Sequence, residues 1–293
     1  MATVSGSPSS GMEALRPLEL GELLDRAFSL YRRRFALFAM IVAVPNVLLF
    51  LFTSTMTWFN GPKDAAVVGT PGAVFTPLVL VGILLGVIFY LFAIGASQAA
   101  SVFAVSETYL GRPATVAGAY RHARGRILVL IGVVIYMSLA AGAAALLLIV
   151  PGIIVMWRSS VAIPAAMLED LGPRAAFERS WTLTKGFAWR AGTIVFLGVI
   201  IVIVAELIFQ WPFQLLATAL KDTPAAAVLN VFSGLGGLLA GILAGPIALI
   251  ATTIFYYDLR VRKEGFDLQQ LVASLGDSGP AGSLTPGPLG MIR

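Results

Sequence analysis

The sequence predicts an all-α integral membrane protein with six transmembrane helices, and three observations carry that prediction. Hydrophobic residues make up 58% of the chain and charged ones only 12%, where soluble domains carry about a quarter. Several charge-free runs exceed the roughly 20 residues that span a bilayer's hydrocarbon as a helix. With Lys63, Lys221 and Arg158 excepted, the 20 Lys+Arg fall before Phe35, between Gly111 and Arg126, between Glu169 and Arg190, and after Tyr257. An even number of crossings between these stretches keeps them on one side, as the positive-inside rule requires.

The elements follow in order. The run from Phe35 to Pro62 holds helix one, ending near Trp58, with a polar turn at Asn60-Gly61-Pro62-Lys63-Asp64. The run from Ala65 to Ser106 is too long for one crossing and too short for two. It is read as a helix from about Phe75 that leaves the bilayer and continues towards Leu110. Pro151-Gly152 interrupts the run Ile127 to Trp157, and proline removes a backbone donor. A hairpin is therefore expected there, with helix three from Ile127 to Val150 and helix four from Ile153 to Leu168. Helix five is placed from Ala191 to Trp211, ended by Pro212, and helix six from Asn230 to Tyr257. The Ser/Gly/Pro-rich ends, 1–14 and 275–293, are expected to be disordered tails flanking a membrane domain over 15–274. The first of them lacks the basic, apolar and cleavage segments of a signal peptide. Both ends are expected in the cytoplasm; arginine in excess of lysine with abundant Ala and Gly suggests a GC-rich bacterial genome, and the expected location is the bacterial inner membrane.

A short amphipathic segment precedes three of the crossings, and the three align without gaps. Leu18, Leu110 and Leu171 open them, and Leu24, Val116 and Phe177 come six residues later. Small residues follow at Ala27, Ala119 and Ser180, aromatics at Phe28, Tyr120 and Trp181, and basic residues at Arg32, Arg124 and Lys185. Offsets of six, ten and fourteen residues lie close to the helical repeat, so one apolar-to-aromatic flank is expected. Such helices suit the interface plane, with their basic ends near anionic headgroups. The architecture expected is three units, each an interfacial helix followed by a transmembrane hairpin.

Charges inside the membrane are the strongest functional pointers a membrane sequence offers. Arg158 and Glu206 both come out roughly 8–9 Å inside the far edge of their helices at about 1.5 Å per residue. Similar depth suggests an ion pair, either lining a site between helices four and five or only fixing their packing. Ser233, Gly237, Gly241 and Gly245 recur every four residues on helix six, as do Gly82 and Gly86 on helix two. Small residues at that spacing let helix backbones approach. With no cysteine, thiolate metal sites and thiol catalysis are excluded. No zinc-helix, nucleophile-elbow or phosphate-loop pattern is present. His122, the sole histidine, lies in the basic stretch Tyr120-Arg121-His122-Ala123-Arg124 and suits a solvated or headgroup-facing role.

Several stretches resemble the family of glycerophosphoryl diester phosphodiesterase membrane domains. They are Arg16-Pro17 to Arg34, Pro151-Gly152-Ile153 leading to Arg158, Leu171-Gly172-Pro173 through Ala176 to Arg179-Ser180-Trp181-Thr182-Leu183-Thr184-Lys185-Gly186, and Tyr256-Tyr257-Asp258-Leu259-Arg260-Val261-Arg262-Lys263-Glu264-Gly265-Phe266-Asp267-Leu268. In the fused enzymes of that family, hydrolysis belongs to a separate barrel bearing histidines and acidic metal ligands, for which this chain has no room. The resemblance thus implies a stand-alone membrane protein without that activity. The expected function is non-catalytic, scaffolding or regulating a membrane-associated partner without cofactor or metal. The alternative is a transporter or lipid-handling protein with a site at Arg158 and Glu206. Expected partners are the lipid bilayer, anionic lipid headgroups and a membrane or cytoplasmic protein, and no nucleic acid.

Overall fold

The computed structural model describes residues 17–65 and 77–265, and every regular element among them is a helix. The tails expected at 1–14 and 275–293, and Arg16, Phe266, Asp267 and Leu268, lie outside the described residues. The helices are α1 (Leu20–Arg33), α2 (Phe35–Ala65), α3 (Pro77–Tyr109), α4 (Val116–Ala123), α5 (Ile127–Leu147), α6 (Ile149–Arg158), α7 (Ala162–Leu168), α8 (Pro173–Leu183), α9 (Ala188–Phe209), α10 (Trp211–Ala219) and α11 (Ala225–Glu264). Six helical stretches are long and apolar enough to cross a membrane: within α2, within α3, α5, α6 with α7, α9 and α11. The chain is a multi-pass helical membrane protein.

Three short helices precede hairpins, as the repeat predicts. Each starts on a recognisable signal. Glu22 reaches back to accept the Glu19 N–H at 3.0 Å, Thr115 Oγ1 accepts the Gly118 N–H at 3.1 Å, and Pro173 opens α8 where its missing N–H costs nothing. The three helices pack in a cycle. The α4 helix lies on α3, the return limb of the first hairpin; α8 lies on α7, the return limb of the second; and α1 lies on α11, the return limb of the third. Each unit is thereby held by the next, and the last by the first.

The face they share is the small-residue one. Ala27, Ala119 and Ser180 are fully buried, and so are Ala123 and Thr184 one turn on, with Tyr31 nearly so. The aromatics Phe28, Tyr120 and Trp181 sit beside that face, and Arg32, Arg124 and Lys185 close the helices exposed to solvent. Of the apolar-to-aromatic flank expected from the spacing, the buried part is therefore centred on the small residues, one position before the aromatics. Small side chains win the inner position because each helix must approach a return limb closely.

The core lies at the basic end. Leu23, Phe38, Ile41, Leu130, Ile250, Ile254, Phe255, Tyr256 and Leu259 are buried there, whereas the other half exposes leucines, isoleucines and valines such as Leu84, Leu85, Val204 and Leu207. A lipid-facing surface looks like that, since acyl chains solvate it as well as protein does. Helix α11 has 40 residues, roughly 60 Å at 1.5 Å per residue, twice the hydrocarbon thickness. From Thr253 to Leu259 every residue of it is buried, because α1, α3, α7, α8 and α9 all pack against α11. It ends at Gly265, whose φ of 59° is the left-handed cap that glycine adopts without a Cβ penalty.

Four boundaries differ from the sequence reading. The α2 helix continues through the expected turn to Ala65. The second hairpin turns at the single extended residue Leu148 (φ −159°, ψ 143°), and Pro151 and Gly152 fall in the first turn of α6. There the absent proline N–H is one the ladder does not need. Helix α9 closes at Phe209, just ahead of Pro212 as expected, but the proline also lies in the first turn of a further helix, α10, and α11 extends beyond both expected ends.

The glycine stripe is corrected by the same kind of rotation. A Cβ on Gly236 would fall 1.9 Å from the Phe209 carbonyl oxygen, and one on Gly237 would fall 2.5 Å from Gln210 Oε1. Ser233 Oγ lies 2.9 Å from Gln214 Oε1, so α11 meets α9 and α10 through Ser233, Gly236 and Gly237. Nothing lies within 4 Å of a Cβ on Gly241 or Gly82, and Gly86 and Gly245 meet only Phe52 and Val42 at 4.0 and 3.9 Å. Close approach therefore occurs at Gly237 but not at Gly241, Gly245, Gly82 or Gly86. Gly236→Ala should lower the melting temperature in detergent, at an overpacking cost of about 1–3 kcal/mol. Gly241→Ala should leave it within about 0.5 kcal/mol of the parent, and equal losses would contradict this register.

Candidate functional site

Outside the lipid-facing surface, the polar chemistry of the described residues concentrates at the basic end, in two charge clusters and one cavity. The first cluster is built on Asp258, whose carboxylate is fully buried. It accepts from the Leu18 backbone N–H at 2.7 Å and from Arg262 Nε at 3.0 and 3.1 Å. Arg190, near the start of α9, approaches to 3.5 Å. Both arginines also donate to the Leu18 carbonyl, Arg190 at 2.8 Å and Arg262 at 2.5 Å. The backbone N–H and carbonyl of one residue before α1, Leu18, are thus gripped by a carboxylate and two guanidiniums.

The second cluster joins α7, α8 and α11. Arg179 on α8 donates Nε to Glu169 at 2.8 Å and reaches Glu264 at 2.5 Å. Glu264 also accepts from Arg260 one turn earlier, at 2.9 Å. The Tyr256 hydroxyl donates to Glu169 at 2.7 Å. Burial pulls the Arg179 guanidinium down, but the bonds to its two carboxylates outweigh burial and leave it above its ordinary value. Lys263 donates to the Thr182 and Lys185 carbonyls at 2.8 Å each, a cation on the last turn of α8 where the helix dipole favours one.

Between α6 and α7 the helix is broken, and side chains of α8 replace the missing bonds. The Arg158 carbonyl accepts from Ser180 Oγ at 2.7 Å and from Thr184 Oγ1 at 3.1 Å, and Ser180 Oγ accepts the Val161 N–H at 3.3 Å. The Arg158 side chain lies 3.8 Å over the Trp181 ring and donates to the Trp181 carbonyl at 2.7 Å. Trp157 beside it packs on Gly192, whose added Cβ would lie 2.5 Å from the indole.

This placement overturns the intramembrane pair. Arg158 sits at the level of Gly192, whereas Glu206 is roughly 21 Å further along α9 at 1.5 Å per residue, beyond the reach of an arginine side chain. The equal depth assumed a hairpin turning at Pro151-Gly152 at the far side. The short α6 is instead anchored where Trp157 packs on Gly192 near the start of α9, so Arg158 lies at the basic end and serves α8. A transport or lipid-handling site built on the two residues has no geometric basis.

The cavity lies between the last turns of α3 and α4. It measures about 440 Å³ and is lined by Phe103, Glu107, Pro113, Thr115, Arg121 and His122, among others. The His122 ring stacks on Phe103 at 4.2 Å between centroids, and the edge of the notch is pinned where the Tyr120 hydroxyl donates to the Ile41 carbonyl. Burial pushes that phenol up to about 12, so it stays a donor throughout the physiological range. Among the described residues no group of three or more His, Asp or Glu gathers to hold a metal ion. Comparison with known protein families, curated proteins and solved structures yields no match.

Sequence reasoning located the basic residues but missed their organiser, Asp258. Its signal was present: Asp258 with Arg262 and Arg260 with Glu264 form two four-residue pairs on a helix otherwise apolar all round. Asp258→Ala and Arg262→Ala should each destabilise the protein, Asp258→Ala by about 3–5 kcal/mol because two guanidiniums lose their counter-charge. The double mutant should lose clearly less than the sum, the mark of a shared interaction. Arg158→Ala and Glu206→Ala should instead add. Thermal unfolding in detergent measures all four.

Proposed function

We propose that this chain is a non-catalytic protein of a bacterial inner membrane, with both termini in the cytoplasm, that scaffolds or regulates a membrane-associated partner. The observation that carries the reading is the notch between α3 and α4. It is open, part apolar and part charged, and it stands where α3 extends past the bilayer. The acidic side chains of the two charge clusters are engaged in holding helices together, which supports a structural over a catalytic use of the basic end. The charge distribution, with the basic end towards the cytoplasm, supports the orientation. The exposed Arg32, Arg124 and Lys185 add a surface for anionic headgroups.

The resemblance to the membrane domain of the glycerophosphoryl diester phosphodiesterase family fits this reading. Two of the stretches that carry it face each other across the second cluster, Arg179 against Glu264 and the Thr182 carbonyl against Lys263. Such a membrane domain would itself hold or position something at the membrane rather than hydrolyse a substrate.

A photo-crosslinking amino acid at Arg121 tests the reading in intact cells. A discrete protein adduct that disappears with Glu107→Lys is the expected result, and a lipid adduct alone would contradict it. Reporter fusions after residues 118 and 180 should report cytoplasm and a fusion near 221 the outside. An outside report at 180 would overturn the orientation.

A further inference from the structure

The tip of the hairpin formed by α5 and α6 carries a run of five consecutive, strongly exposed large apolar residues. Leu146 is 90% exposed, Leu147 82%, Leu148 69%, Ile149 75% and Val150 66%. Helix lengths and packing together fix how deep that tip can lie. The ruler is α9. From Arg190, ion-paired to Asp258 at the basic end, to Gln210, beside Gly237, it runs roughly 30 Å at 1.5 Å per residue, the hydrocarbon thickness of a typical bilayer.

Both limbs of the hairpin are pinned near the basic end of that ruler. Trp157 packs on Gly192 and forms an edge-on pair with Trp189 at 5.9 Å, and Arg158 is bonded to α8. From Trp157 back to Ile149 is one short helix, so the tip lies at most roughly 12 Å beyond Trp157. The other limb agrees. Its first half is tied to the same region, with Arg126 on Asp170 at 2.5 Å, Gly132 against Pro173, and Tyr136 edge-on to Phe177 at 5.2 Å. Phe177 in turn stacks on Trp181, beneath Arg158. From Tyr136 to Leu147 the helix advances roughly 16 Å. Neither limb can carry the tip much past the midpoint of α9.

The chemistry of the tip matches a site inside hydrocarbon. Between Ser138 and Trp157 no side chain is polar, although a turn that surfaced at the far interface would carry polar or aromatic anchors. The turn between α10 and α11 does so, with Lys221, Asp222 and Thr223. Two backbone bonds close the ladder on either side of the turn, where hydrocarbon penalises unpaired groups. Leu148 alone is extended, its N–H bonds to the Ala144 carbonyl, Pro151 has no N–H to leave unpaired, and the ladder resumes with Gly152 N–H to the Leu148 carbonyl. Gly152 lets the limbs close, since a Cβ there would lie 2.6 Å from the Ala145 methyl.

We propose that the α5–α6 hairpin is re-entrant: it enters from the basic side, turns near the bilayer midplane and returns, so that its tip is solvated by acyl chains of the leaflet on the basic side. A length of 20 residues for Ile149–Leu168 is enough to cross, but α7 spends the second part of it beneath α8. Because the hairpin begins and ends on one side either way, the distribution of basic residues is the same for both depths. A half-depth wedge places protein volume in one leaflet only. The surface therefore fits acyl chains on the basic side, not a protein or solute on the far side.

The natural absence of cysteine makes the test direct. Single cysteines at Leu148, Asp222 and Arg124 are introduced into the full chain in proteoliposomes, and each is challenged with a membrane-impermeant maleimide from either side. Asp222→Cys should label from one face and Arg124→Cys from the other, while Leu148→Cys should label from neither. A bimane fluorophore attached to Leu148→Cys through a permeant thiol reagent before reconstitution should then be quenched several-fold more by lipids with a nitroxide near the acyl-chain end than by lipids with a headgroup nitroxide. Labelling of Leu148→Cys from the face that labels Asp222→Cys, or stronger quenching by the headgroup probe, would overturn the proposal. Quenching by neither probe, with the tip sealed against protein, would overturn it as well.

Discussion

The hydrogen bond from the Leu18 N–H to the Asp258 carboxylate joins the first helix of the chain to the last, and the remaining arrangement depends on it. Three amphipathic helices each lean on the return limb of a hairpin. Two of those contacts form between neighbours in sequence, where loop closure costs little. The third must bring together residues 240 apart, and its entropic cost is met at one buried carboxylate. Two guanidiniums neutralise that carboxylate and bond to the Leu18 carbonyl as well, so a single residue is held by both its backbone polar groups. With α1 docked, Leu23, Ala27 and Tyr31 complete the core around α11.

That arrangement explains why the protein is well packed at one end and loosely clad at the other. In lipid there is no hydrophobic drive between helices, so association relies on close packing and polar contacts. The far half supplies a few such contacts, chiefly at Gly236 and Gly237 against Phe209 and Gln210. The basic half supplies many, because the end of α11 projects past the hydrocarbon into a collar of short helices. There charges can be paired at the edge of water, and pairs such as Arg179 with Glu169 and Glu264 tie separate units rather than neighbouring turns.

Much of the fold was legible in the sequence because the bilayer imposes a length and forbids charge. The three amphipathic segments emerged from their spacing, with Ala27, Ala119 and Ser180 correctly matched. What spacing leaves open is rotation. The same four-residue period describes Gly241 and Gly245 or their buried neighbours Ala240 and Ala244, and only the partner helix selects between them. The site was less legible. The depth expected for Arg158 rests on a hairpin that turns at the far side, whereas Trp157 packs on Gly192 near the start of α9 and holds Arg158 close to the basic end, a long-range contact that no local pattern reveals. Asp258 is not legible because nothing local to it reveals its partner, the backbone of Leu18 at the other end of the chain.

Hydrogen exchange read by mass spectrometry, with the protein in lipid nanodiscs, tests the cyclic closure most directly. Exchange in the parent is compared with that in Asp258→Asn. If the Leu18–Asp258 contact closes the ring, the substitution should release protection across α1 and also in α8 and the start of α9, while the far half of α9 keeps its protection. A change confined to residues touching Asp258, with α8 unaltered, would contradict the account.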